Sequence, residues 1–164
     1  MKINKQPGFT WSDAWLLFSI APGDGGGGAS LASLIRAGDR VNHAIFTTQE
    51  LRRGLAKLFH AGYLTKIDNQ YTLAGKAKTF WFTQREQRKP TMDRLKVFEA
   101  FLEVDHQLSL GSTIEDPDWH FPGITDETVH LAYLEYINSE QKKRESIKMV
   151  RLQQPWRNRS GGQA

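Results

Sequence analysis

The sequence predicts a mainly α-helical chain that carries one small β-hairpin. Three observations predict it. A capped helix with an apolar stripe occupies 47–62, where Leu51, Leu55, Leu58 and Phe59 recur at i, i+4, i+7 and i+8. Two short β-prone runs, Tyr63-Leu64-Thr65-Lys66-Ile67 and Tyr71-Thr72-Leu73, flank the polar turn Asp68-Asn69-Gln70. Further amphipathic runs lie on both sides of this pair.

The first helix starts at Thr10 or Ser12 and runs through WSDAWLLFSIA, because Ser, Thr and Asp at its start can cap free N–H groups. Pro22 and Gly23 stop it. PGDGGGGA then forms a surface loop rather than a phosphate cradle: it lacks a GK[ST] ending and follows a helix instead of a strand. Ser30 caps a second helix, SLASLIRAGDRVNHAI. Leu31, Leu34, Ile35, Gly38, Val41 and Ile45 share one face of it, and His43 lies near its end as a packed or capping residue. Gly38 either interrupts this helix or permits close packing. In the third helix Thr47 and Glu50 form a capping box, and Phe46 with Leu51 forms a hydrophobic staple. Gly62 is placed to end the helix in the left-handed conformation. The hairpin follows, then a helix over Ala74 to Lys89 with Ala77, Phe80 and Trp81 on its apolar side.

Beyond Pro90, Thr91 caps a helix with Leu95, Phe98, Phe101 and Leu102 on one face. A polar, acidic loop spans roughly 106–124. Thr125 opens the last helix, with Val129, Tyr133, Tyr136 and Ile137 as its apolar side and a continuation past Lys142. The expected division is 9–89, 90–152 as an acidic helical segment with a role in dimerisation, and 153–164 as a disordered basic tail.

The order helix, helix, helix, hairpin, helix over about 9–85 resembles the winged helix-turn-helix. The stretch FTTQELRRGLAKLFHAGYLTKIDNQYTLAGKAK is similar to the recognition helix and wing of bacterial regulators of the broad MarR and PadR type. The capped helix running into HAGYL carries the resemblance, together with YTLAGKA, where Tyr, Leu and Gly lead into the following helix. The wing lacks the arginine pair frequent in PadR-type proteins, and the second half resembles no family. The resemblance implies a DNA-binding transcriptional regulator, with the third helix in the major groove and the wing on the backbone or minor groove. It also implies a homodimer joined by flanking helices, for which Leu95, Phe98, Phe101, Tyr133 and Ile137 are the expected interface residues.

A basic front half suits a polyanionic partner; the acidic middle would be repelled by it, and the basic tail could add affinity or pair with that acidic segment. Residues 1–90 carry 13 Lys/Arg against 6 Asp/Glu, residues 91–141 carry 2 against 11, and residues 142–164 carry 7 against 1. Placing the third helix at 100° per residue turns Gln49, Arg53, Lys57 and His60 away from Leu55 and leaves Arg52 at the edge of the buried stripe. Gln49, Arg52 and Arg53 can reach base edges or phosphates, Lys57 and Lys66 suit phosphates, and Thr48 at the helix start can hold one. The same fold also serves as a protein-interaction or assembly module, which is the alternative.

The absence of Cys removes disulfides, Cys-ligated zinc and thiol nucleophiles. Glu127 and His130 stand one helical turn apart, a spacing that can share a metal, but acids at a helix start explain that pair more simply. The remaining candidates for chemistry are Asp105, His106, Glu115, Asp116, Asp118, His120 and Asp126. They form no recognisable signature, so no enzyme, metal or cofactor is expected. MKINKQPGFTW lacks the apolar stretch of a secretory signal, and the expected location is the cytoplasm.

Overall fold

Helix α1 (Trp11–Ile20) has almost no polar face, and the fold is built around it. Every residue from Asp13 to Ile20 is buried, and α2 (Leu31–Asn42), α3 (Thr48–His60) and α5 (Thr91–Leu108) all pack on it. Between α3 and α5 lie strands β1 (Leu64–Ile67) and β2 (Gln70–Leu73), then α4 (Gly75–Gln84); α6 (Asp126–Gln153) closes the order. This computed structural model describes residues 8–21, 28–87, 89–108 and 120–153. The architecture is mainly helical with one two-stranded antiparallel hairpin.

Capping chemistry sets the helix starts. The Asp13 carboxylate accepts from the Thr10 N–H at 2.6 Å and from the Thr10 hydroxyl at 2.9 Å. Ser30 Oγ accepts from the Ser33 N–H at 3.2 Å and opens α2. The end of α2 departs from expectation. His43 turns left-handed, with φ 53°, and donates its N–H to Asp39 O at 2.7 Å, so the helix stops at Asn42. Ile45, expected on the buried face, is therefore 39% exposed. Phe46 takes the inward place instead and stacks on Trp15 with ring centroids 3.7 Å apart. Gly38 is the close-packing glycine: a Cβ there would lie 2.3 Å from the Phe46 ring. Its carbonyl accepts from Trp15 Nε1 at 3.1 Å.

The hairpin pairs Leu64 with Leu73 and Ile67 with Gln70 around a two-residue turn, in which Asp68 adopts φ 53°. Leu64, Lys66, Tyr71 and Leu73 share one face of the pleat; Thr65, Ile67, Gln70 and Thr72 share the other. Ala29 adds an isolated antiparallel bridge to Tyr71, with N···O distances of 2.8 and 2.9 Å, which ties the segment before α2 to the hairpin.

The second half shares the core of the first. Leu95, Phe98 and Leu102 of α5 are buried in one apolar cluster with α1, α3 and the hairpin. Phe98 meets Phe18 and Phe80, and Phe101 stacks on Phe80 at 4.4 Å. The expected boundary near residue 90 thus falls inside continuous packing. The placing of Leu95 and Phe98 at a dimer interface is corrected here: they are 0% and 1% exposed within the chain and keep no surface for a second copy. Phe101, Tyr133 and Ile137 are half-buried.

Helix α4 ends at Gln84, before the expected Lys89, where no further apolar side chain holds another turn on the core. Of the expected acidic loop, residues 106–108 belong to α5 and 109–119 lie outside the described residues. Helix α6 packs on α2 through Val129 and Ala132, and Tyr136 OH donates to Asp39 Oδ2 at 2.5 Å. Side chains 141–150 are all exposed, and 154–164, most of the expected tail, lie outside the described residues. No helix among the described residues is long and apolar enough to cross a membrane.

Candidate nucleic-acid interface on the third helix

Helix α3 is held in register at both ends. Thr47 Oγ1 accepts from the Glu50 N–H at 3.2 Å, while the Glu50 carboxylate accepts from the Thr47 N–H at 2.8 Å. At the far end Gly62, with φ +73°, lets Tyr63 N donate to Leu58 O at 2.9 Å and Gly62 N donate to Phe59 O at 3.0 Å. Leu51, Leu55 and Leu58 are buried at 0% exposure. That stripe fixes which residues can face outwards.

Neighbours embrace α3 on both flanks of the stripe. On one side it meets α1 so closely that a Cβ on Gly54 would lie 2.6 Å from Leu16 Cδ2 and 3.1 Å from Asp13 Oδ1. There Lys57 bends inwards and pairs with Asp13, its side chain 11% exposed and the carboxyl 4%. Its ammonium also lies over the Phe9 ring at 5.9 Å. The expectation of an outward Lys57 is corrected: the buried carboxylate of Asp13, in the first turn of α1, outcompetes water for it. On the other side residues 120–124 cross the helix. Phe121 N donates to Arg52 O at 3.2 Å, and Arg52 Nε donates to Ile124 O at 3.0 Å.

The Phe121 ring meets Phe59 at 5.6 Å and Tyr71 at 5.9 Å. It takes part of the role expected of the α3 stripe, because Phe59 itself is 46% exposed. Lys66 lies on the inner face of the hairpin. Its ammonium sits over Tyr71 at 5.6 Å and over Phe121 at 5.8 Å. Burial beside these rings pushes the Tyr71 hydroxyl up to about 12.

Of the six residues expected to touch DNA, Arg52, Lys57 and Lys66 thus make intramolecular contacts. Gln49 and Arg53 are exposed and adjacent; with its amide oxygen turned to Arg53, Gln49 accepts from both guanidinium Nη atoms at 3.2 Å. Thr48 is half-buried at the first turn. The remaining outward strip is Gln49, Arg53 and His60. The hairpin offers Thr65, Ile67, Gln70 and Thr72 on its outer face, with Asp68 at the tip.

No family model matches the chain, and no curated protein and no solved structure shows detectable similarity to it.

Sequence reasoning missed the ion pair of Lys57. Gly54, a small residue beside the leucine stripe and one turn before Lys57, is the signal that another helix crosses there. A second polar cluster was also missed. Tyr63 OH donates to Asp105 Oδ2, and Lys76 Nζ donates to Asp105 Oδ1 at 2.8 Å, so the residue before β1, the first turn of α4 and α5 meet at one carboxylate. Burial raises the Asp105 pKa, but the hydrogen bonds from Lys76 and Tyr63 outweigh it and hold the carboxyl below its ordinary value. Burial and the Asp105 contact raise the Tyr63 hydroxyl in turn. Among the described residues no three His, Asp or Glu side chains converge as a metal site. Glu115, Asp116 and Asp118 fall outside those residues, as does the side chain of His106.

Proposed function

We propose that the chain is a winged helix-turn-helix module that binds duplex DNA through the narrow outer strip of α3, as a transcriptional regulator would. The observation that carries this reading is the exposed Gln49–Arg53 pair. It stands one turn into a helix whose start is fixed by a capping box and whose hairpin lies beside it. Guanidinium and amide are the groups that read guanine and adenine edges bidentately. The bridge from Ala29 to Tyr71 supports the winged-helix reading, since it braces the hairpin from the segment before α2. A homodimer fits this reading through surface near Phe101, Tyr133 or Ile137, with Leu95 and Phe98 withdrawn from the interface.

The test is duplex binding as a function of salt. Binding that weakens steeply with salt, together with a loss of preference at one base position on Arg53→Ala, supports it. No duplex binding at low salt overturns it. A second reading, a protein-interaction module, is favoured by Ile67. This side chain is 68% exposed on the outer face of the hairpin, and the lysines beside it are drawn inwards.

A further inference from the structure

A second group of exposed cations lies on α4 and just after it, apart from α3. Residues 75–96 carry seven Lys/Arg against two Asp/Glu. Lys78 and Phe82 of α4 and Arg85, its C-cap with helical backbone angles, stand at i, i+4 and i+7, which aligns them along one side of the helix. All three are exposed, and Phe82 retains 39% of its surface. The Arg85 guanidinium sits over the Phe82 ring at 4.4 Å. Neither Lys78 nor Arg85 makes an ion pair with a described residue.

Behind this line the cationic character deepens. The Arg94 guanidinium is sandwiched between Trp81 at 5.0 Å and Phe18 at 5.4 Å. Its Nε and Nη2 are buried without a hydrogen-bond acceptor among the described residues. Arg94 as a residue is half-buried, so its charge adds to the field on this side of the helix and is screened less than a fully exposed one. Lys89 and Lys96 are further exposed cations close by in sequence.

We propose that this side of the helix is a binding site for single-stranded nucleic acid, with Phe82 as a stacking platform and Lys78 and Arg85 as phosphate clamps one helical turn to either side. A ring exposed between two cations fits a strand whose bases are unpaired, because each base then offers a π-face beside a phosphate. A duplex hides those faces within its own stack, and a purely acidic peptide leaves the ring unused. Arg85 lies over the ring in the free protein; it exchanges that contact for a phosphate when a base takes its place. The site stands independently of the α3 reading, from which it is separated by ligand and by residues.

The test measures binding of the full chain to a fluorescently labelled oligothymidylate, to the same length of duplex and to heparin, at low and at physiological salt. Single strand should bind more tightly than duplex. Phe82→Ala should weaken single-strand binding about tenfold and leave heparin binding unchanged, while Phe82→Trp should preserve or tighten it. Lys78→Ala and Arg85→Ala should each lower the salt slope by about 0.7. Arg53→Ala should leave single-strand binding unaltered, which separates a failure here from a failure of the duplex reading. The substituted side chains are exposed, so unfolding curves should overlay those of the parent. Absence of single-strand binding at low salt overturns the proposal. So does equal loss of heparin and oligonucleotide binding on Phe82→Ala, or unchanged oligonucleotide affinity in that variant.

Discussion

Helices α3 and α4 both carry basic side chains off the apolar core, yet they use them in opposite ways. On α3, Lys57 is drawn into an ion pair with Asp13 and Arg52 is tied to the Ile124 carbonyl. On α4 and at its C-cap, Lys78 and Arg85 remain in solvent around an exposed ring. The two helices differ in how many neighbours surround them. Helix α3 is flanked by α1 on one side and by 120–124 on the other, and each neighbour supplies an acceptor. Helix α4 presents only Ala77 as a fully buried residue, so nothing reaches round to its outer side. A cation's position on a helical wheel therefore says which way it leaves the backbone. Whether it reaches solvent depends on what stands within one side chain's length.

The largest effect should come from breaking the α3 arrangement at Lys57. Its removal leaves the Asp13 carboxylate buried, with only the Thr10 bonds to hold its charge. Lys57→Ala should cost about 3 kcal/mol of stability, in the range for stripping one partner from a buried pair, whereas Lys78→Ala on α4 should cost less than ~0.5 kcal/mol. Urea unfolding of the two variants side by side checks this. Equal, small losses would mean that the ion pair holds nothing.

The next effect sharpens the comparison at the junction of the hairpin and α4. Gly75 takes φ +48°, and a Cβ there would lie 2.8 Å from the carbonyl oxygen of Gly62. The two glycines let the end of α3 and the start of α4 touch through backbone, which a flexible side chain cannot relieve. Gly75→Ala should destabilise by about 1–3 kcal/mol. Gly62→Ala meets no atom within 4 Å and suffers only the left-handed strain, so it should cost less. A reversed order would show that the contact is not limiting.

These cases also show what the sequence made legible. The α3 cap, the Gly62 stop and the hairpin were readable, because each depends on residues within a few positions of one another. Thr47 needs only Glu50, and Leu64 finds Leu73 across a two-residue turn. Lys57 with Asp13, Arg52 with Ile124 and Tyr63 with Asp105 were not. Those partners are 42 to 72 positions apart, and nothing in the local pattern selects one acid over another. The early end of α2 belongs to a third kind. His43 in a left-handed conformation costs about 1–2 kcal/mol locally, and the Trp15–Phe46 stack that offsets it has its partner in another helix.

A pH series tests the clusters away from both basic faces. Asp105 has a lowered pKa in the folded chain, so the stability it contributes is present above its ordinary value of 3.8 and is lost as pH falls through the lower folded value. Asp105→Asn should flatten the acid limb of the stability profile in that window. Tyr136 behaves with the opposite sign. Its hydrogen bond to Asp39, then burial, raise it to about 12, so its contribution holds below pH 10 and disappears as pH rises towards 12. Tyr136→Phe should remove that alkaline loss and cost about 1 kcal/mol at neutral pH. Profiles identical to the parent in both variants would sink this assignment.

The smallest effect is expected at the far end of α6. Over its first part this helix meets α2 through Val129, Ala132 and Tyr136, and all of these precede residue 141. From 141 to 150 every side chain is exposed, including Ile147, Met149 and Val150, each above half. At 1.5 Å per residue the helix is about 42 Å long, while the 12-residue α2 supports less than half of that length. Ending the chain after Gln141 therefore removes no buried side chain among residues 142–150. It keeps 16 residues of α6, anchored at the N-terminus by the reciprocal bonds of Thr125 and Thr128 at 2.9 and 3.2 Å. Thermal unfolding of the shortened chain should shift by no more than about 2 °C, as expected for a change worth under ~0.5 kcal/mol. A larger drop would mean that the exposed stretch is covered in solution, and light scattering on the full-length and shortened chains would then identify whether a second copy covers it.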